Sequence, residues 1–199
     1  MQDNLERLAK LFLKFPGIGE RQAKRFAYFI LTQPDSYVDA LAHTLKTARG
    51  LAHTCQMCQR IFEGVAGLCH ICGDDSRDKS TLVVVEKSQD IDSFSKTDYH
   101  GMFFVLGGLI PIIQKDILQG TNINLLSERI KKDVKILKEI ILAFPITPNG
   151  EHTEVAVREI ISPVAGNIKI SSLGRGLSTG AELEYADAAS LSASLKKRE

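Results

Sequence analysis

All four cysteines of this 199-residue chain fall within eighteen residues, as Cys55-Gln-Met-Cys58, ten intervening residues and Cys69-His-Ile-Cys72. Each C-x-x-C turn sets two thiols on one side of a tight loop, and the excursion between the turns is long enough to bring the second pair round to the first. Four thiolates then form a tetrahedron about 2.3 Å from a zinc ion, with no coordination position open for chemistry. The competing reading is a pair of disulfides or a redox couple. The N-terminus Met1-Gln-Asp-Asn-Leu-Glu6 has neither the basic nor the apolar part of a secretory signal, and cytosolic thiols stay reduced. The spacing therefore favours one structural Zn2+ held by Cys55, Cys58, Cys69 and Cys72. His53 and His70 are expected to face solvent, because four thiolates saturate the ion.

Composition sets outer bounds. Apolar residues make up 44% of the chain and charged residues 25%, enough for a buried core. The longest uncharged apolar stretch, Met102 to Ile113, is too short to span a bilayer, so a cytoplasmic protein with no membrane partner is expected. A formal net charge of +1 gives no bulk attraction for nucleic acid. Any such role rests on a local patch.

Leu5, Leu8, Ala9 and Phe12 recur at helical spacing, as do Ala23, Phe26, Ala27 and Ile30, and a third helix is expected from Ser36 to Leu51. Between the first two lies Lys14-Phe-Pro-Gly-Ile-Gly-Glu20, a turn whose glycines reach conformations other residues resist. Helix, Pro-Gly-Ile-Gly turn and basic helix resemble a helix-hairpin-helix DNA-binding motif. Gly17 and Gly19 let backbone N–H groups approach a phosphate, and the helix N-terminus adds positive potential. Arg21 and Arg25, four apart, share a face, and with Lys24 they offer phosphate contacts that carry no base information. Ile18 is expected to anchor the turn between the helices.

After the cysteines the chemistry changes. Gly73 to Ser80 is charged and turn-rich and reads as a linker. Apolar, largely β-branched runs follow at Thr81–Val85, Met102–Leu106, within 136–144 and at Asn167–Ser171, with helical stretches at 124–132 and 150–161 between them and a closing helix at 187–197. Continuous rather than alternating apolar strands mean burial on both faces, hence a mostly parallel sheet flanked by helices. Glu86 closes the first of these strands, at the sheet edge where ligand sites form. The run from Thr81 to Glu86 resembles the opening of a Toprim domain. Catalytic members pair that glutamate with an Asp-x-Asp at a later strand end to hold magnesium, and here the corresponding segment, Ile141 to Thr147, has no acid before Glu151. Gly174 to Gly180 is glycine-rich but lacks the Gly-Lys-Ser/Thr of a nucleotide loop, and reads as a closing loop followed by the acids Glu182, Glu184 and Asp187.

Taken in order, Phe15-Pro-Gly-Ile-Gly19 with Ala23 and Arg25, the four cysteines, Val84-Val-Glu86 and Arg175-Gly-Leu-Ser-Thr-Gly-Ala-Glu-Leu-Glu-Tyr-Ala-Asp187 resemble the RecR family of bacterial recombination mediators over nearly the whole chain. The resemblance implies an α+β chain in several parts: a helix-hairpin-helix region (1–53), a four-cysteine zinc finger (54–73), a Toprim domain (80–174) and a C-terminal oligomerisation region (175–199). It implies a non-enzymatic DNA-repair factor that forms ring-like tetramers. Such a factor binds DNA that is single-stranded, duplex or gapped, and works with RecO and RecF to help RecA replace single-strand-binding protein on single-stranded DNA at gaps. Under this reading Glu86 and Glu151 mark a partner-binding edge of the Toprim domain. The alternative is a magnesium-dependent Toprim nuclease or primase-like enzyme. Three departures from the family pattern stand out: Glu20-Arg21 where members carry Pro-Lys, Phe144-Pro-Ile-Thr147 where they carry Thr-Asn-Pro-Thr, and Gly180-Ala181 where they carry Gly-Gly. Four thiolates and one zinc leave a local charge of about −2, so DNA contact is expected at Arg21, Lys24 and Arg25 rather than at the metal.

Overall fold

The computed structural model describes residues 3–113, 120–174, 176–177, 180, 182–186 and 188–196. The helical periodicity of the first fifty residues becomes α1 (Asn4–Phe12), α2 (Glu20–Leu31) and α3 (Asp35–Leu51). The Asp3 carboxylate caps α1 by accepting from the Leu5 N–H at 3.2 Å. On α2 the buried residues are Ala23 and Ala27, whose small side chains let α1 approach closely. Phe12 meets Phe15 and Phe26 edge-on, with centroids 5.6 and 5.7 Å away, and Phe29 on α2 meets Tyr37 on α3 at 6.1 Å. The Thr32 hydroxyl, donating to the Phe29 carbonyl at 2.8 Å, ends α2, and Pro34 opens α3.

The chain divides into two compact units, one ending at Ala52 and the other beginning at His53. At the start of the second, β1 (Ala52–Thr54) and β2 (Ile61–Glu63) pair as a short ribbon around the first cysteine turn. The apolar runs become β3 (Asp78–Val85), β4 (Gly101–Val105), β5 (Glu139–Ala143) and β6 (Lys169–Ser172), in the order β4-β3-β5-β6 with every neighbouring pair parallel. Val83 lies between Phe103 and Ile141. The C-terminal half of β3 and all of β4 are buried, as their continuous apolar sequence requires, whereas β5 alternates and β6 is half-open.

The structure differs from the sequence expectations at several element ends. β3 begins at Asp78, inside the expected linker, because ladder bonds need only backbone: Asp78 N–H donates to His100 O at 3.0 Å, and Ser80 O accepts from Lys138 N–H at 2.8 Å. α4 (Ser88–Phe94) buries Ile91 alone, too little for a periodic signal. It is held by the Asp90 carboxylate accepting from the Lys87 N–H at 2.7 Å. α5 (Ile123–Asp133) matches its expected place. α6 (Pro148–Ala165) runs longer at both ends, since Pro148 stands where its missing N–H has no intrahelical role, and Pro163 forfeits a single bond before Gly166 stops the helix at φ +59°. A 3-10 turn (Leu183–Tyr185) and α7 (Ala188–Lys196) follow. Ile123, Leu126 and Ile130 of α5 and Val157 and Ile161 of α6 join the strands in one core.

Candidate metal centre and nucleic-acid interface

The two cysteine turns fold alike. In the first, Gln59 N–H donates to Cys55 O at 3.0 Å; in the second, Gly73 N–H donates to Cys69 O at 2.9 Å. All four side chains are buried, and their sulfurs lie within 4.8 Å of one another. Four sulfurs about 2.3 Å from a common ion stand about 3.8 Å apart, and Cys58 Sγ and Cys69 Sγ are separated by 3.6 Å. Among the described residues this is the group of three or more ligating side chains able to share a metal ion. The thiols of Cys58 and Cys72 hydrogen-bond toward Cys69 and hold it well below the usual thiol range. The contact with Cys69 pushes Cys58 up to about 12, and contacts with Cys58 and Cys69 push Cys72 up as well, burial adding to both. One thiolate is thus stabilised and further ones are opposed, a balance that a divalent cation reverses, so the donor set fits a soft divalent ion. His70 is exposed and His53 packs its ring at 6.3 Å from Phe62.

The first turn is tied into its surroundings by polar contacts. Cys58 O accepts from Val105 N–H at the end of β4 (2.8 Å), and Met57 O accepts from the Arg129 guanidinium (3.1 Å). Just beyond the turn, Arg60 pairs with Asp92 at 3.0 Å and Ile61 N–H donates to Ser88 Oγ at 3.1 Å.

In the N-terminal unit, the α1–α2 turn places Gly17 at φ +76°, the left-handed region. Gly19 differs from expectation. It is the N-cap of α2 at φ −90°, ψ 171°, an extended conformation open to any residue, with open space where a Cβ would stand. No side chain caps the N-terminus of α2. Ile18 is half-buried, while Arg21, Lys24 and Arg25 are exposed, and Arg25 also donates to Gln22 Oε1 at 3.3 Å. These cations and the α2 N-terminus therefore sit together on one helix.

At the C-terminal edge of the sheet, Glu86 follows β3, is 8% exposed, and pairs with Lys87 Nζ at 2.8 Å. That hydrogen bond and the carboxylate charge raise the Lys87 pKa. Glu151 lies exposed in the first turn of α6. A cleft of about 600 Å³ opens beside Lys87 and Ser88, and its cations Arg60 and Lys87 both carry acid partners, Asp92 and Glu86. Glu182 and Glu184 are exposed near the 3-10 turn; Arg175, Ser178 and Asp187 lie outside the described residues.

Family models match three segments in chain order: "RecR, helix-hairpin-helix" at 5–49, "Toprim domain" at 80–173 and "RecR, C-terminal" at 176–199. The recombination protein RecR of Lacticaseibacillus casei (strain BL23) is 35% identical over 195 residues, covering 98% of this chain and 96% of that protein. The chain belongs to the RecR family. The RecR proteins of Ligilactobacillus salivarius (strain UCC118) and Chlorobium phaeovibrioides (strain DSM 265 / 1930) are 34% and 35% identical, each covering 98% of this chain and 96% and 95% of their own. Two departures from the RecR pattern now have positions. Glu20 opens α2 directly before the exposed Arg21, where its charge suits the helix N-terminus. In the Phe144-Pro-Ile-Thr147 segment, Thr147 Oγ1 accepts from Gly150 N–H at 3.1 Å and caps α6. Sequence reasoning passed over Arg129, although its register on α5, three after the buried Leu126, put it on the buried face one turn ahead of Asp133.

Proposed function

We propose that this chain is a non-enzymatic recombinational DNA-repair factor of the cytoplasm that binds DNA without reading its sequence. In this reading it acts with RecO and RecF to help RecA replace single-strand-binding protein on single-stranded or gapped DNA. The observation that carries the reading is the exposed cluster of Arg21, Lys24 and Arg25 behind the uncapped, glycine-led start of α2. Gly17 and Gly19 admit a phosphate, the free N–H groups of α2 face it, and the three cations neutralise its neighbours. One such patch is small. A ring-like tetramer presents four, and linked sites raise overall affinity by about 10² to 10⁴.

Cys55, Cys58, Cys69 and Cys72 hold a structural Zn2+ in this reading, and Glu86 and Glu151 flank the edge of the Toprim domain where a protein partner docks. Binding is favoured over catalysis there, since the 141–147 segment brings no second acid to Glu86 and Lys87 Nζ at its Oε1 offsets part of its charge. The test is fluorescence anisotropy with labelled single-stranded, duplex and gapped DNA, comparing wild-type protein with an Arg21→Ala/Arg25→Ala variant. The expected result is weaker binding to every sequence alike, with the slope of log affinity against log salt made shallower by about 0.9 for each duplex phosphate that the variant leaves unneutralised. Undiminished DNA binding by the variant would overturn the reading, as would magnesium-dependent cleavage or primer synthesis that is abolished in Glu86→Ala.

A further inference from the structure

We infer that Arg129 is a positioning residue for the metal centre: its guanidinium holds the first cysteine turn in the conformation in which the Cys55 and Cys58 thiols converge with those of Cys69 and Cys72. The inference rests on the reading of the four cysteines as a metal site.

Arg129 is the buried basic side chain among the described residues, at 7% exposure. Taking a guanidinium out of water is costly unless its N–H groups find acceptors. Here Nε donates to the Asp133 carboxylate one helical turn on, and a terminal nitrogen donates to the Met57 carbonyl at 3.1 Å, across 72 residues of sequence. The Asp133 pair alone does not account for the burial, since an i,i+4 pair forms equally well on an open helix face. What burial adds is the bond to the residue between Cys55 and Cys58.

Two further observations make that bond a positioning contact rather than incidental packing. First, a groove of about 250 Å³ lies between the turn and α5, lined by Met57, Leu125, Arg129 and Asp133 among others. The guanidinium bridges the gap. Second, the turn ends in Gln59 at φ +62°, the left-handed conformation that a non-glycine residue keeps only where its surroundings hold it. The two carbonyls before it, Met57 O and Cys58 O, are fixed by Arg129 and by the Val105 N–H. With both carbonyls fixed, the peptide planes on either side of Cys58 are fixed, and with them the direction of its Cα–Cβ bond, from which the thiol reaches the site.

The experiment measures zinc affinity of the full chain by competition with a chromophoric chelator, and records the visible spectrum of the cobalt(II)-loaded protein. The proteins compared are wild type, Arg129→Met, Arg129→Lys and Asp133→Ala. Loss of groups that orient metal ligands costs about 10- to 100-fold in affinity. Arg129→Met is expected to show that loss with an altered cobalt ligand-field band, and Arg129→Lys to recover part of it. Wild-type zinc affinity and an unchanged cobalt spectrum in Arg129→Met overturn the assignment. Should Arg129→Met fail to fold, Asp133→Ala decides: a several-fold weaker site supports the assignment and an unchanged one overturns it. Failure of the wild-type chain to take up either metal overturns the metal reading, and this inference with it, whereas equal uptake by wild type and variant overturns this inference alone.

Discussion

The backbone N–H of Val105 donates to the carbonyl of Cys58 over 2.8 Å, which joins the first cysteine turn to the C-terminal end of β4. The cysteine cluster and the buried sheet are therefore parts of one hydrogen-bonded structure. The four cysteine side chains belong to the same buried cluster as Val105, Phe103 and Leu106. Whatever orders the turn also orders the end of the strand, and whatever releases it exposes core.

Replacing Cys55 by Ser is accordingly expected to destabilise the fold rather than alter a reaction. A ligand present at about a thousand times its dissociation constant stabilises the native state by about 4 kcal/mol. Losing one of four thiolates forfeits most of that. Elemental analysis should find the variant depleted of zinc, and thermal unfolding should show a lowered midpoint. Zinc-free Cys55→Ser protein with wild-type thermal stability would remove the structural role.

The two glycines of the α1–α2 turn are expected to fail differently. Gly17 sits at φ +76°, where an L side chain is strained, so Gly17→Ala should cost about 1–2 kcal/mol and lower the melting temperature. Gly19 is extended with open space around it, so Gly19→Ala is free of that strain, and the poorer N-cap and the narrowed unfolded ensemble offset each other to leave the melting temperature little changed. Its methyl would instead stand where a phosphate approaches the start of α2, and DNA binding should weaken. Parallel melting curves and anisotropy titrations separate the two effects, and unimpaired DNA binding by Gly19→Ala would remove Gly19 from the interface.

The contrast between Gly17 and Gly19 also marks what the sequence made legible. Both read as turn glycines, but only the backbone conformation distinguishes one needed for folding from one free to serve a ligand. The cysteine spacing specified its own cluster, because ligand number and loop length admit few arrangements. The uninterrupted apolar runs Leu82–Val85 and Met102–Val105 announced strands buried on both faces, as the parallel ladder around β3 bears out. Illegible were α4, stabilised by a local carboxylate cap rather than by an apolar stripe, and the bond from Arg129 to Met57, whose partners lie 72 residues apart and leave no local pattern.

Glu139 provides a pH test within the sheet. Its carboxylate accepts from Ser171 Oγ at 2.7 Å and pairs with Lys169 Nζ at 2.9 Å, joining β5 to β6, and these contacts, Ser171 first, hold its pKa below the ordinary 4.5. A carboxylate with a depressed folded-state pKa stabilises in full above its unfolded value and loses that contribution as pH falls through the folded one. Glu139→Gln should therefore be less stable than wild type at pH 7, and the gap should narrow as pH falls through the ordinary carboxylate range. Urea denaturation of both proteins at each pH reads the gap directly, and acid release of metal, common to both, cancels in the difference. A gap that stays constant down to about pH 3 would assign the effect to packing instead of charge.

Two alanine substitutions at helix glycines should have opposite signs. Gly150 lies in the first turn of α6, and a Cβ there would land on the carbonyl oxygen of Pro145, a backbone atom that cannot swing aside. Gly150→Ala therefore forces the 145–147 segment away from the start of α6. That shift strains the Thr147 cap, whose Oγ1 accepts from the Gly150 N–H. Overpacking of this kind costs about 1–3 kcal/mol. Gly50 is the penultimate residue of α3, with open space where its Cβ would stand. There alanine chiefly narrows the unfolded ensemble, which stabilises by about 0.5 kcal/mol. Chemical denaturation should thus shift its midpoint down for Gly150→Ala and up for Gly50→Ala. A neutral Gly150→Ala would mean that the chain ahead of α6 yields without cost, and that the close approach of Pro145 to this helix is not what the glycine preserves.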